Sequence, residues 1–257
     1  PWGIPIPWDE KHVTYVWFDA LINYVSAVGY PDGEKYQRYW DSVWHLIGKD
    51  IIKPHAIFWP TMLKAAGMPI YKHLNVGGFL MGPDGRKMSK TLGNVVDPFD
   101  LSEKYGADVV RYYLLSDVPY GQDASVGETH LVARYNADLA NDLGNLLSRT
   151  ITMIEKFCGG EIPAPKAKGS PDDELIALAE SLPDKLETMV NRMQLNAAIR
   201  EIWRFIGRAN KYIDETMPWS LAKDPDQKER LDTVLYNLAE ALRVAAVHIS
   251  PIMPNTP

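Results

Sequence analysis

Val43-Trp44-His45-Leu46-Ile47-Gly48, then Lys49-Asp50, then Pro54-His55-Ala56-Ile57-Phe58-Trp59, is the stretch on which the reading of the fold turns. The first six residues form a short, mostly apolar run bounded by charge, which reads as a buried strand. Pro54 stands where a first helical turn tolerates proline. The helix it opens runs past Pro60 to about Ala66, where Gly67 stops it. His73 to Leu80 reads as a further strand. Upstream, residues 13–18 (Val-Thr-Tyr-Val-Trp-Phe) are β-branched or aromatic and predict a buried strand. Asp19 then falls where an N-cap belongs, ahead of a helix through Val25. Residues 29–42, with Gly, Pro and Asp, make a connection. Strand, helix, strand, helix, strand predicts a parallel α/β sheet.

Downstream the pattern changes. Asp97-Pro98 opens a helix through Leu101 and Tyr105, and Ala107 to Leu115 carries Val109, Val110, Tyr113 and Leu114 at helical spacing. Pro119-Tyr120-Gly121-Gln122-Asp123 breaks structure and marks the expected domain boundary. Beyond it the chain reads as helical almost throughout. Leu139, Leu143, Leu147, Ile151 and Ile154 recur every three or four positions between Glu128 and Phe157. Helical patterns resume at 172–190, 195–213 and 230–249, separated by a Gly/Pro/Lys/Ser loop at 159–171 and by Pro218. About four antiparallel helices predict a bundle.

The chain has 257 residues, 46% hydrophobic and 23% charged, enough for one or two domains with proper cores. No apolar run approaches the ~20 residues of a bilayer span, and no signal-peptide pattern opens the chain. Cys158 is the single cysteine, so neither an internal disulfide nor a cysteine-based zinc cluster can form within these residues. A cytoplasmic, reducing location fits. The net charge of −6 weighs mildly against nucleic-acid binding, but a local basic patch counts for more than the total. The ends, Pro1 and Pro257, look like cuts and suggest a fragment.

The chemistry concentrates at Gly85-Arg86-Lys87-Met88-Ser89-Lys90-Thr91-Leu92-Gly93-Asn94. Glycines on both flanks let the loop take backbone conformations that other residues avoid. Lys87 and Lys90 could turn two ammonium groups toward one polyanion. Composition alone reads it as a solvated basic loop. It follows the third strand, and ligands of open α/β sheets bind beyond the strands' carboxyl ends.

Lys87-Met88-Ser89-Lys90-Thr91 resembles the KMSKS loop of class I aminoacyl-tRNA synthetases, with threonine in the last place. Tyr15 through Tyr24 and His45 through Pro60 resemble the amino-acid pocket of the methionyl branch of that class. The resemblance covers nearly the whole chain. It implies the second half of a Rossmann-type catalytic domain over 1–122, with the loop at 85–94 and stem-contact helices at 97–118. An α-helical anticodon-binding domain follows over 123–257. It further implies ATP-dependent activation of methionine to an adenylate and transfer to the 3′ end of methionine tRNA. Growing charge on the leaving pyrophosphate is what fixed lysines stabilise, so Lys90 first and Lys87 second are the catalytic candidates. ATP would meet Gly48, Asp50, Lys87, Met88, Ser89 and Lys90, with Mg2+ accompanying it and no protein metal ligands identified; Asp50 alone reads equally as a helix-start carboxylate.

By the same resemblance Trp17, Ala20, Leu21, Tyr24, Ile51 and His55 line the methionine site, with Phe58 and Trp59 behind it. A thioether favours aromatic contacts, and its sulfur is a weak acceptor. Without the resemblance, Phe18, Trp44 and Trp59 read as ordinary core. Adenylate formation needs no general base, since the attacking carboxylate is already ionised, so His55 is assigned binding. Pro54 and Leu21 depart from the family pattern, which bears on the pocket's fine shape. In the helical half, Asn145 and Arg149 lie four apart on one helix face and Trp219 follows Pro218. The resemblance makes these three readers of the CAU anticodon, where single-stranded bases stack on aromatics and bond through their edges; spacing alone reads them as helix surface and bundle packing.

The family's His-Ile-Gly-His-type motif is not among these residues, nor is a zinc-bearing insertion, so the chain by itself is expected to be inactive. Two alternatives stand beside this reading: a class I synthetase for leucine, isoleucine, valine or cysteine, and a non-catalytic tRNA-binding module of the same fold.

Overall fold

The computed structural model describes residues 3–256, apart from the side chain of Lys90. These fall into two compact units, one running to Phe79 and one starting at Leu80.

In the first unit β1 (Ile4–Ile6) and β2 (Asp9–Thr14) pair antiparallel, Ile4 opposite Thr14. The strand expected over 13–18 therefore ends at Thr14, and helix α1 (Trp17–Ser26) takes up Trp17 and Phe18. Periodicity explains the switch. Trp17, Leu21, Tyr24, Val25 and Val28 recur at helical spacing and pack on one core with Trp40, Trp59 and Leu63, whereas Tyr15, Val16 and Phe18 are exposed. Asp19 lies inside the first turn, where a carboxylate meets the positive end of the helix, and Val16 holds the N-cap position.

After α2 (Glu34–Tyr39) comes β3 (Trp44–Gly48), which pairs parallel with β4 (His73–Gly77) from Trp44 opposite His73 to Gly48 opposite Gly77. Burial alternates along β3: His45 and Ile47 face inward, and Trp44 and Leu46 are exposed. The strand is thus half-buried, and Trp44 and Phe18 are not the core residues that composition suggested; Trp59, 2% exposed, is. The crossover carries a π turn at Pro54–Phe58 running into α3 (Trp59–Ala65). Pro54 and Pro60 bring no amide hydrogen, and the turn widens so that the Trp59 N–H reaches the Pro54 carbonyl five residues back. Such widened turns recur at functional sites.

The second unit opens with β5 (Leu80–Met81), paired parallel with β6 (Ala124–Ser125). The strand expected from His73 to Leu80 is therefore two pieces, since β4 ends at Gly77. Between β5 and β6 lie α4 (Pro98–Tyr105), capped by the Asp97 carboxylate accepting the Phe99 N–H at 2.8 Å, and α5 (Ala107–Asp117). Val110, Tyr113, Val126 and Leu131 form a small core here. Helix α6 (Glu128–Arg134) continues through a π segment (Tyr135–Gly144) into α7 (Asn145–Cys158), which Gly159 ends in the left-handed region. Then follow α8 (Ser170–Asn191), α9 (Leu195–Thr216), the single turn α10 (Pro218–Leu221) and α11 (Lys228–Ile249). Ile202, Ile206, Tyr212, Leu235 and Leu238 centre a bundle core.

The order expected, parallel α/β structure and then a helical region, is the order found. The stripe along the first bundle helix differs. Leu147 and Ile151 are each 45% exposed, while Leu146, Thr150, Met153 and Ile154 are buried. Steps of four residues advance about 40° beyond a full turn of a 3.6-residue helix, so a strict run of fours drifts off the core face. Among the described residues no helix is long and apolar enough to cross a membrane.

Candidate functional site

At the carboxyl end of β3 the chain turns through Gly48, Lys49 and Asp50 into the π turn. A side chain at Gly48 would place its Cβ 2.8 Å from Asp50 Oδ1, so glycine is what lets this carboxylate fold back over the strand end. Four residues after Ile51, the buried His55 hydrogen-bonds with both ring nitrogens. Its Nδ1 lies 3.0 Å from the Ile51 carbonyl oxygen and its Nε2 lies 2.8 Å from the Tyr24 hydroxyl. A carbonyl only accepts, so Nδ1 carries the proton, and for a neutral ring Nε2 accepts from the Tyr24 O–H. Burial raises the Tyr24 pKa and keeps that hydroxyl protonated. The Trp17 ring stands edge-on to His55 at 5.8 Å between centroids.

Behind this pair is a residue the sequence reading left without a role. His45 is 3% exposed, and its Nε2 accepts the indole N–H of Trp59 at 3.2 Å. Rings of Tyr24 and Tyr71 each stand 4.5 Å from it. Burial, and then the charge His55 could carry, lower its pKa to about 4, so it is neutral at physiological pH. Tyr71 also donates to the His55 backbone oxygen at 2.5 Å. The inward alternation of β3 that buries His45 is a property of the fold, since the apolar run around it shows no alternation in the sequence. Nothing local marked Tyr71, which the crossover brings in from sixteen residues beyond His55.

The structure thus gathers Trp17, Tyr24 and His55, with Ile51 tied to them through its carbonyl. Leu21, 1% exposed, points into the core with Val25, Trp40, Trp59 and Leu63. An open apolar cleft of about 590 Å3 is lined by Trp17, Phe18, Ile57, Phe58, Val13 and Ile6 among others. Of the residues assigned to methionine, only Trp17 lines it.

In the second unit the lysine loop is a tight hairpin. The Gly82 N–H donates to the Arg86 carbonyl at 2.7 Å, and Met81 bridges Lys87 antiparallel. Gly85 and Gly93 take positive φ, 72° and 65°, which side-chain-bearing residues avoid. Met88 packs against the Val110, Tyr113, Val126 and Leu131 core. Ser89 is part-buried and gives its backbone N–H to Asn94 Oδ1 at 2.9 Å. The side chain of Lys90, the first catalytic candidate, lies outside the described residues. Among the described residues no three His, Cys, Asp or Glu side chains converge as a metal cluster would require.

At the start of α7, Asn145 is exposed, and Arg149 follows one turn later. The Arg149 guanidinium lies 5.9 Å from the centre of the Trp219 ring and pairs with Asp214 at 2.7 Å. Met217 sets this up from the left-handed region, φ 44°, which turns the chain from α9 into Pro218 and leaves Trp219 41% exposed.

Residues 1–151 match the family model of tRNA synthetases class I (M). The chain is 53% identical to a methionine–tRNA ligase of Caldanaerobacter subterraneus subsp. tengcongensis over 100% of its own length, and 53% identical to that of Clostridium perfringens over 99%. It spans 40% of the length of each of these relatives. A crystal structure of Mycobacterium tuberculosis methionyl-tRNA synthetase bound by methionyl-adenylate matches 99% of the chain with a TM-score of 0.89 at 42% identity, and the chain covers 50% of it. With the family model matching more than half of its residues, the chain belongs to the class I tRNA synthetases of the methionine type.

Proposed function

We propose that the chain serves a methionine–tRNA ligase: ATP-dependent formation of methionyl-adenylate, then transfer of methionine to the 3′ end of methionine tRNA. The observation that carries this is the grouping of Trp17, Tyr24 and His55 at the end of a parallel strand, in a chain 53% identical along its length to ligases of that name. Methionine is assigned to Trp17, Ala20, Tyr24, Ile51 and His55, with Leu21 on the core side of the same helix. Flat aromatic faces suit a polarizable thioether. Because the Tyr24 proton is engaged by His55, selectivity rests on the shape and polarizability of these rings more than on a donor to sulfur.

ATP is assigned to Gly48, Asp50, Lys87, Met88, Ser89 and Lys90, with Lys87 and Lys90 catalytic through the phosphates. The Mg2+ that accompanies ATP would be held chiefly by the nucleotide's own phosphates. Residues 1–122 are assigned to catalysis and stem contact, and 123–257 to the CAU anticodon through Asn145, Arg149 and Trp219. An exposed indole with a guanidinium over it supports that assignment, since a stacked base meets both a π face and a cation. A cytoplasmic site of action accompanies the reading.

The experiment is amino-acid-dependent ATP–pyrophosphate exchange by the full-length gene product, run with every proteinogenic amino acid. Exchange with methionine alone is expected. Exchange with leucine, isoleucine, valine or cysteine would keep the class and discard the pocket, and silence from folded protein would leave a tRNA-binding module.

A further inference from the structure

Asn94, at the far end of the lysine loop, has been given no functional role so far, yet its side-chain amide hydrogen-bonds to three other residues of the hairpin. Its Oδ1 accepts the Ser89 N–H at 2.9 Å. Its Nδ2 points to Asp84 Oδ1 at 3.1 Å and to the Lys87 carbonyl at 3.4 Å. Asp84 is itself fixed, accepting the Arg86 N–H at 3.0 Å and the Arg86 guanidinium at 2.7 Å. One amide therefore joins both arms of the hairpin across ten residues. The backbone makes room for it. At Gly82 an added Cβ would stand 2.9 Å from Asn94 Nδ2 and 3.0 Å from Asp84 Oδ1, so only glycine lets the amide lie this close.

We propose that Asn94, backed by Asp84, is a positioning residue for the phosphate loop: its amide locks Lys87-Met88-Ser89 in register, fixing where the loop's cations stand when pyrophosphate leaves. The proposal rests on the ATP reading above, in that the loop's task is taken to be phosphate stabilisation. Asn94 touches no substrate in this scheme. Its effect passes through the backbone of Ser89 and Lys87, and a displacement of about 1 Å in such a group lowers turnover about 100-fold.

The test uses the full-length protein with two readouts: methionine-dependent pyrophosphate exchange, and the rate at which trypsin cuts after Arg86 and Lys87. For Asn94→Ala the expected result is a kcat lowered about 100-fold with the KM for methionine unchanged, and cleavage about tenfold faster, as an opened loop requires. Asn94→Asp, which sets two carboxylates face to face, fails in the same way. The pair Asp84→Asn with Asn94→Asp restores a donor opposite an acceptor and recovers most of the lost turnover. Wild-type exchange and wild-type cleavage in Asn94→Ala would overturn the proposal. So would a parallel loss of methionine affinity, which would make Asn94 a general support of the fold. Were the parent protein silent with every amino acid, the ligase reading would fall by itself, and the cleavage rates would still decide the latch.

Discussion

His45 has a buried ring and a pKa held near 4, against 6.5 for an ordinary histidine. Between those values the unfolded chain binds a proton that the folded chain refuses, so protons favour unfolding. The first unit is therefore expected to keep its full stability above pH 6.5 and to lose up to ~3 kcal/mol as the pH falls toward 4. Urea denaturation at a series of pH values measures this. His45→Gln, which can still accept the Trp59 N–H, should flatten the dependence, and a wild-type slope in that variant would assign the acid sensitivity elsewhere. The residue scale is also where sequence reading reached least far. His55, Tyr24 and Trp17 were nameable through resemblance, but His45 and Tyr71 act through hydrogen-bond direction and ring packing, which only the folded crossover defines. Leu21 shows the converse: its position in a family motif was legible, while its burial depended on the phase of α1.

Phase is the question at the scale of the element. A run of apolar residues four apart looks amphipathic, yet the face it marks turns away from the core as the helix proceeds. In α7 the core took Leu146, Thr150 and Met153 in place of Leu147 and Ile151. Leu146→Ala should accordingly destabilise the second unit by about 2–5 kcal/mol, as emptying a sealed core site does. Leu147→Ala should change stability by only about 0.5 kcal/mol. Thermal unfolding of the two variants compares them directly, and equal losses would return the helix to the stripe read from sequence. The same competition moved the boundary at Trp17. Six β-branched and aromatic residues favour a strand locally, but spacing from Trp17 to Val28 joins that segment to a helical face, and packing of the face outweighs local propensity. The helix start at Asp97-Pro98 and the loop from 159 were legible because each is a local event.

For the molecule as a whole, the sequence disclosed the succession of α/β and helical structure, since the change of hydrophobic period from short runs to three-and-four spacing survives in one dimension. It did not disclose that Leu80 leaves the strand of His73 to pair with Ala124, because parallel pairing joins residues through no local signal. The division at Phe79 has a spectroscopic consequence. Of the described tryptophans, Trp8, Trp17, Trp40, Trp44 and Trp59 belong to the first unit and only Trp203 and Trp219 to the second, whereas the second unit holds the four longest helices. Indole emission is then mainly a record of the first unit, and far-ultraviolet ellipticity mainly of the second. In a urea titration the emission and ellipticity curves are expected to separate into different midpoints, since each unit has its own core. Superimposable curves would mean one cooperative transition, while separated curves would let a single sample report the first unit and the helical second unit in two optical channels.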